Sequence, residues 1–297
     1  MSEDSKSVLI TGASGGVGRA TVARLSELGW QVFAGVRSLP AGADLAREHP
    51  GVVPVELDVC DEESLRSARD EVARHLPGRG LDALVNNAGL SVDGPIELVP
   101  VAALRRQLDV NVIGKVATTQ VFLPMLRLAR GRVVNIGGAI GRMPLPMYGA
   151  LGAATAALDS VTETLRMELR YQGVDVSYVE SGALETDFFR KSAGAARRDG
   201  YAGTPEVQQI YAAAIEASSK AMAGAGKSPV EVVVAAVVKA LRAGRPATRY
   251  TIGAQAKVGR PLLLRLPDRL RDRTLLSTLG LGSGTFDGVS SNGGEAA

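Results

Sequence analysis

A chain of 297 residues with 45% apolar and 22% charged side chains can bury the core of one sizeable α/β domain, and its composition excludes a disordered or collagen-like protein. Its 34 Lys and Arg against 31 Asp and Glu leave a net charge of +3, too small an excess to imply nucleic acid as a partner. The single cysteine, Cys60, excludes an internal disulfide and a cysteine metal site, and two histidines, His49 and His75, argue against a histidine-rich metal site or a Ser-His-Asp triad.

Residues 1–6 are polar and carry no apolar signal core, and no run approaches the ~18 apolar residues that span a bilayer, so a soluble cytoplasmic protein is expected. Residues 7–10 form a compact apolar run ending in a glycine-rich turn, the pattern of a buried strand. Helical spacing follows over 16–28, through Val17, Ala20, Val22, Ala23 and Leu25, and stops at Gly29. Strand-like runs recur at 31–36, 52–57, 81–85, 132–136 and 174–179, with helical stretches at 62–75, 101–128 and 148–171. This rhythm predicts a doubly wound parallel sheet with helices on both faces, whose ligands bind outside the carboxyl ends of the strands.

From Phe188 onward the pattern changes to a helical extension. Residues 200–225 are rich in Ala and Ser and read as a helix. A second helix starts with Ser228 as N-cap, Pro229 at its first position and Glu231 at its third, and runs to about Ala243. Residues 249–252 read as a last strand, 258–279 as an amphipathic terminal helix, and the Gly-, Ser- and Asn-rich stretch 282–297 as disordered. In the terminal helix, Arg260, Arg265, Arg269 and Arg273 interleave with Leu262, Leu263, Leu266 and Leu270. Asp268 and Asp272 dilute that charge and Pro261 and Pro267 interrupt the helix, which favours a lid or subunit contact over a membrane-surface helix.

The chemistry starts at the first strand–helix junction, Thr11-Gly12-Ala13-Ser14-Gly15-Gly16-Val17-Gly18. Glycine allows a tight turn and close backbone approach to a pyrophosphate, and the helix start adds free N–H groups and positive potential. This segment resembles the cofactor motif of the short-chain dehydrogenase/reductases. Asn86-Asn87-Ala88-Gly89 resembles that family's second motif, Asp58 (followed by Val59) its adenine-contacting residue, and Asn111 its helix asparagine. Gly182 with Thr186 is similar to the segment that holds the nicotinamide amide, although Ser181 stands where the family has proline. The resemblance covers residues 6 to about 280 and implies one Rossmann-type domain over 1–281, with 188–281 as substrate lid and C-terminal extension. It implies a cofactor held by Gly12, Ser14, Gly16, Val17, Gly18, Asp58, Val59, Asn87, Ala88, Gly89 and Thr186.

The end of the second strand decides the cofactor type. A carboxylate there would bind the ribose 2′-hydroxyl of NAD and repel a 2′-phosphate. The sequence has Ala34-Gly35-Val36-Arg37-Ser38 instead, so Arg37, helped by Ser14, is expected to pair with the phosphate, and NADP(H) is expected over NAD(H).

The resemblance implies a serine, a tyrosine and, four residues on, a lysine as the family's catalytic set. Gly138 falls on the serine, Leu151 on the tyrosine and Thr155 on the lysine, so none of the three groups is expected here. Tyr148, about one helical turn before Leu151, and Asn111 are the remaining candidates for proton transfer or for ordering a water. Tyr148 has Gly152 at its i+4 position rather than a lysine, and Asn111 serves equally well as a brace for an irregular helix. Gly138, Met143, Leu145, Tyr148 and Leu151 are expected to line a cavity for a large apolar ligand of steroid, polyketide or lipid type.

Three functions follow. One is an NADP(H)-binding enzyme catalysing a non-redox cyclisation or rearrangement. Another is an atypical NADP-dependent reductase using Tyr148 or water as proton source, and a third is a non-catalytic NADP(H) sensor or partner subunit. The helices at 101–128 and 148–171 resemble the family's dimer-forming pair, so a homo-oligomer (dimer or tetramer) is expected.

Overall fold

The computed structural model describes residues 5–185, 188, 201–224, 226–253, 257 and 259–286. The chain opens with β1 (Ser7–Thr11), α1 (Gly16–Glu27) and β2 (Gln31–Val36). A short turn then leads to α2 (Ala43–Glu48), β3 (Val53–Glu56), α3 (Glu62–His75) and β4 (Ala83–Asn86). Next come α4 (Val101–Leu108), α5 (Gly114–Ala129), β5 (Arg132–Gly138), α6 (Gly149–Leu169) and β6 (Asp175–Ser181). The extension supplies α7 (Pro205–Gly224), α8 (Val230–Arg242), β7 (Arg249–Thr251), α9 (Arg260–Leu263) and α10 (Asp268–Thr278).

The seven strands are parallel and lie in the order β3-β2-β1-β4-β5-β6-β7. The order reverses between β1 and β4, which places the ligand crevice at their carboxyl ends. The apolar strand runs have a simple cause: successive residues point to opposite faces, and both faces are covered. Val8, Ile10, Val32, Ala34 and Val134 face Val22 and Leu25 of α1 and Val233 and Val237 of α8. Leu9, Phe33, Leu84 and Val133 face Leu65 and Val72 of α3 and Phe122 and Leu126 of α5. Full burial of each such side chain stabilises the fold by about 1.5–3 kcal/mol.

A polar chain crosses the second core. Asn86 Nδ2 donates to Thr119 Oγ1 and to Asn135 Oδ1, both at 2.9 Å, and Asn135 Nδ2 donates to Thr162 Oγ1 at 2.9 Å. These bonds fix the ends of β4 and β5 against α5 and α6. Nearer the surface, Asp61 caps α3 by accepting from the backbone N–H of Glu63 at 2.8 Å and of Ser64 at 3.2 Å. Asp61→Ala is expected to cost about 1 kcal/mol in urea denaturation, the usual worth of such a cap.

Several sequence expectations are corrected. The stretch read as one helix over 101–128 carries a π-helical segment, Asp109–Ile113, between α4 and α5. Ser228 is not an N-cap: α8 starts at Val230 after Pro229 with no side-chain cap, while Ser228 pairs through its backbone with Ala183 and Glu185. The terminal helix is broken into α9 and α10, and Pro267 precedes α10 as expected of a residue that cannot donate an N–H. A turn at Ser283–Phe286 lies inside the stretch read as disordered, and the Phe286 ring packs edge-on against Tyr211. The rest of that stretch, 287–297, lies outside the described residues. Among the described residues, no helix is long and apolar enough to cross a membrane.

Candidate nucleotide and substrate site

The glycine loop leaves β1 with Gly12 at φ +63°, where a β-carbon would lie 2.9 Å from Ala88 Cα. On Gly18 a β-carbon would collide with the Gly12 carbonyl and stand 2.8 Å from Asn87 Nδ2. Both positions therefore require glycine. Thr11 Oγ1 accepts from the Asn87 and Ala88 N–H groups at 3.1 and 3.0 Å, and Asn87 Nδ2 donates to the Thr11 and Gly12 carbonyls at 2.9 and 3.0 Å. The Asn87 side chain thus locks the loop onto the end of β4. The first helix has Gly15 at its N-cap with no side-chain cap, so its first-turn amides keep their partial positive charge for an anion.

The other nucleotide candidates gather on the same edge of the sheet. Arg37 and Ser14 are exposed, Arg37 directly after β2 with no carboxylate at the strand end, and Gly16 and Val17 open the first turn of α1. Asp58 Oδ1 accepts from the Cys60 N–H at 2.9 Å, while buried Val59 packs on Gly114 at the start of α5. Gly89 lies against Asn111, where a β-carbon would be 3.4 Å from Oδ1. Thr186 lies outside the described residues.

The positions on which the family's catalytic residues fall lie on β5 and α6. A β-carbon on Gly138, at the end of β5, would lie 3.4 Å from Thr155 Cγ2. Leu151 and Thr155 are one turn apart on α6, and the Thr155 hydroxyl donates to the Leu151 carbonyl at 2.8 Å. Gly138 and Thr155 therefore meet, Leu151 lies one turn before Thr155 on α6, and the side chains present carry neither charge nor titratable group. Beside them, a β-carbon on Gly137 would collide with Tyr178 Oη, so the buried Tyr178 ring of β6 fills that space. Burial pushes the Tyr178 phenol well above the usual tyrosine range; the Asp159 and Glu180 carboxylates add to this, and the Arg249 guanidinium opposes it.

The structure gives both polar candidates other work. Asn111 sits in the π-helical segment, accepts from the Leu90 N–H at 2.9 Å and donates to the Leu90 carbonyl at 2.9 Å. Its side chain braces the irregular turn against the loop after β4, in keeping with the association of π-bulges with functional sites. Tyr148 is 7% exposed just before α6. Burial pushes its phenol up to about 12, with the Asp93 carboxylate and Tyr201 adding and the Ser218 hydroxyl offsetting part of the rise. A phenol in that range is a weak proton donor at neutral pH.

Two of the residues expected to line an apolar cavity, Tyr148 and Leu145, lie in or against one buried apolar cluster. Met147 and Tyr148 join Ala214 of α7 with Leu279 and Leu281 in one buried cluster, and Leu145, Tyr211 and Leu276 pack against it. Met143 is half-buried and is not among the residues of that cluster. The second half of the terminal segment is thus packed over the site, while Leu262, Leu264 and Leu270 are exposed.

Two groups escaped sequence reasoning. Lys115 is 4% exposed, one turn after Asn111, and its Nζ donates to the Ile136 carbonyl at 2.5 Å. Burial pushes its ammonium down to about 7. The available signal was a lone lysine in an apolar helix, four residues after Asn111 and on the same face. Asp93 receives a short hydrogen bond from the buried Ser91 hydroxyl, and burial raises its carboxyl pKa. A single carboxylate in a loop gives no sequence signal of where it points.

Comparison with known proteins agrees with this geometry. The short chain dehydrogenase family profile matches residues 6–196. The chain is 39% identical over 186 residues to the 3-amino-tetrahydro-pyrrolizinone reductase of Xenorhabdus hominickii, a match covering 63% of this chain and 64% of that protein. It is 38% identical over 190 residues to estradiol 17-beta-dehydrogenase 2 of Mus musculus, covering 62% of this chain and 49% of that one. The match thus spans less than two thirds of the length of both relatives. A crystal structure of a short chain dehydrogenase from Burkholderia cenocepacia in complex with NADP superposes with a TM-score of 0.71 at 27% identity, covering 94% of this chain and 99% of that one. With its parallel sheet, glycine loop and strand-end motifs in the same order, this chain belongs to the short-chain dehydrogenase family.

Proposed function

We propose that this chain binds NADP(H) and acts on a large apolar molecule, of steroid, polyketide or lipid type, without the family's Ser-Tyr-Lys set. The observation that carries the reading is that Gly138 and Thr155 meet at the end of β5, with Leu151 one turn before Thr155, and that none of the three carries a titratable group. The residues present fit the nucleotide: a glycine loop where a β-carbon on Gly12 or Gly18 would collide, uncapped amides at the start of α1, and exposed Arg37 where a carboxylate would select NAD. NADP in the Burkholderia cenocepacia relative supports the same choice. When bound, the nicotinamide supplies or takes a hydride; the residues of this chain hold it, exclude water and offer an apolar wall.

A non-redox cyclisation or rearrangement suits these side chains best, because such a step depends on shape and exclusion of water more than on a titrating donor. The reductase alternative draws support from the names of the relatives. Its proton source would be Tyr148 or water, with burial holding the Tyr148 phenol up at about 12. A cytoplasmic location and a homo-oligomer belong to the same proposal. Val101, Ile113, Leu128 and Met167 are exposed apolar residues on the helices expected to pair.

Titration with NADPH and NADH, followed by nicotinamide fluorescence, tests the cofactor half of the reading. NADPH is expected to bind more tightly, and Arg37→Ala to weaken NADPH about 10- to 100-fold, the worth of a charge-assisted hydrogen bond, while leaving NADH unchanged. Absence of NADPH binding, or indifference to Arg37→Ala, overturns it.

A further inference from the structure

We propose that Asp93 is the recognition group of the substrate site and that the ligand it selects is an apolar molecule carrying a protonated amine. The inference names the substrate class within the reading above and rests on its placement of the ligand.

The placement comes from the backbone. Asp93 lies in the loop that leaves the carboxyl end of β4, where a doubly wound sheet presents its ligands. The next residue, Gly94, donates its N–H to the Met147 carbonyl at 2.7 Å and bridges to Tyr148. Gly94 also lies under the Tyr201 ring, where a β-carbon would come within 2.8 Å of Cε1. The loop that carries Asp93 therefore runs from the strand-end crevice to the backbone of Met147 and Tyr148, two members of the apolar cluster, and the carboxylate is near enough to Tyr148 to raise its phenol.

The chemistry is unusual for such a place. The Ser91 hydroxyl donates to Asp93 Oδ1, and among the described residues no Lys, Arg or His forms an ion pair with the carboxylate. Burial raises the Asp93 carboxyl pKa, the Ser91 hydrogen bond offsetting part of it, and the carboxylate adds to the rise that burial imposes on Tyr148. A carboxylate against an apolar wall is costly unless a cation meets it. A neutral steroid or fatty alcohol would bury that charge further and gain nothing from it. An alkyl- or polycyclic ammonium would place its apolar body on the cluster and its charge on Asp93, turning an unfavourable group into a selective one.

Matched probes decide the matter: adamantan-1-amine against adamantan-1-ol, and decylamine against decan-1-ol below its aggregation limit. Each is titrated by calorimetry into the full chain, with and without saturating NADPH. The amine of each pair is expected to bind at least about tenfold more tightly than the alcohol, a modest figure for one partly buried charge pair. Asp93→Asn, which keeps the size of the side chain, is expected to erase the preference by weakening the amine and, with no charge left to bury, not weakening the alcohol, while Asp93→Glu retains it. Equal binding of amine and alcohol, no binding of either, or a preference that survives Asp93→Asn overturns the proposal. The titration without NADPH separates this result from the cofactor reading: failure to bind NADPH with an intact Asp93-dependent amine preference overturns only the cofactor half.

Discussion

Installing Gly138→Ser, Leu151→Tyr and Thr155→Lys together is expected to raise NADPH-dependent reduction of lipophilic ketones by about 10²–10⁴-fold, the usual worth of a positioned proton donor. The geometry permits it. A β-carbon at 138 meets nothing nearer than 3.4 Å, and positions 151 and 155 lie one turn apart on one face of α6. The Thr155 hydroxyl bonds only to helix carbonyls, Leu151 at 2.8 Å and Gly152 at 3.1 Å, so removing it leaves no tertiary partner unpaired. The three groups act as a unit, so each single replacement is expected to give little. The readout is loss of NADPH absorbance over a panel of steroidal and monocyclic ketones, compared with the unaltered chain. Equal turnover by the unaltered chain would mean that proton transfer is already provided elsewhere and would sink the proposed loss of the catalytic set.

The second large effect is thermodynamic, and its sign changes with pH. Below pH 7 Lys115 is charged in the folded and the unfolded chain alike, and folding must carry a desolvated ammonium. Between about 7 and 10.5 the unfolded chain holds the proton and the folded chain does not, so stability rises with pH through that window. A fall from 10.5 to about 7 corresponds to about 5 kcal/mol. Lys115→Met removes that dependence but leaves the Ile136 carbonyl without its donor, a loss of about 1–3 kcal/mol. The variant is therefore expected to be about 2–4 kcal/mol more stable than the parent at pH 6 and about 1 kcal/mol less stable at pH 10, in urea denaturation at both values. A difference that does not move with pH would show that Lys115 does not titrate in this range. The Lys115 Nζ lies at the end of β5, on the Ile136 carbonyl two residues before Gly138.

Much of the fold was legible because its signals are local. Short apolar runs such as 32–36, bounded by turn residues, read as strands covered on both faces, and the glycine spacing after the first strand marks the loop where Gly12 and Gly18 have no room for a β-carbon. Other features were hidden because they depend on contacts distant in sequence. The π-helical segment at Asp109–Ile113 is braced by Asn111, whose side chain bonds the backbone of Leu90 in the loop after β4. The break between α9 and α10 was foreshadowed by Pro267, but which of their leucines would pack was not, since Leu275 is buried and Leu262 and Leu270 are exposed.

The candidate site divides the same way. Sequence alone determined the strand-end motifs, the arginine in place of an acid after the second strand, and the side chains at 138, 151 and 155, because these are matters of residue type at a fixed spacing. Only the tertiary structure decided that Gly138 and Thr155 meet, that Asn111 and Asn87 spend their side chains on backbone groups, and that Tyr148 is buried beside Asp93. Charge, burial and hydrogen-bond supply at one point are sums over elements far apart in the chain. Lys115 and Asp93 become chemically distinctive only when α5 closes on β5 and the extension closes on the loop after β4.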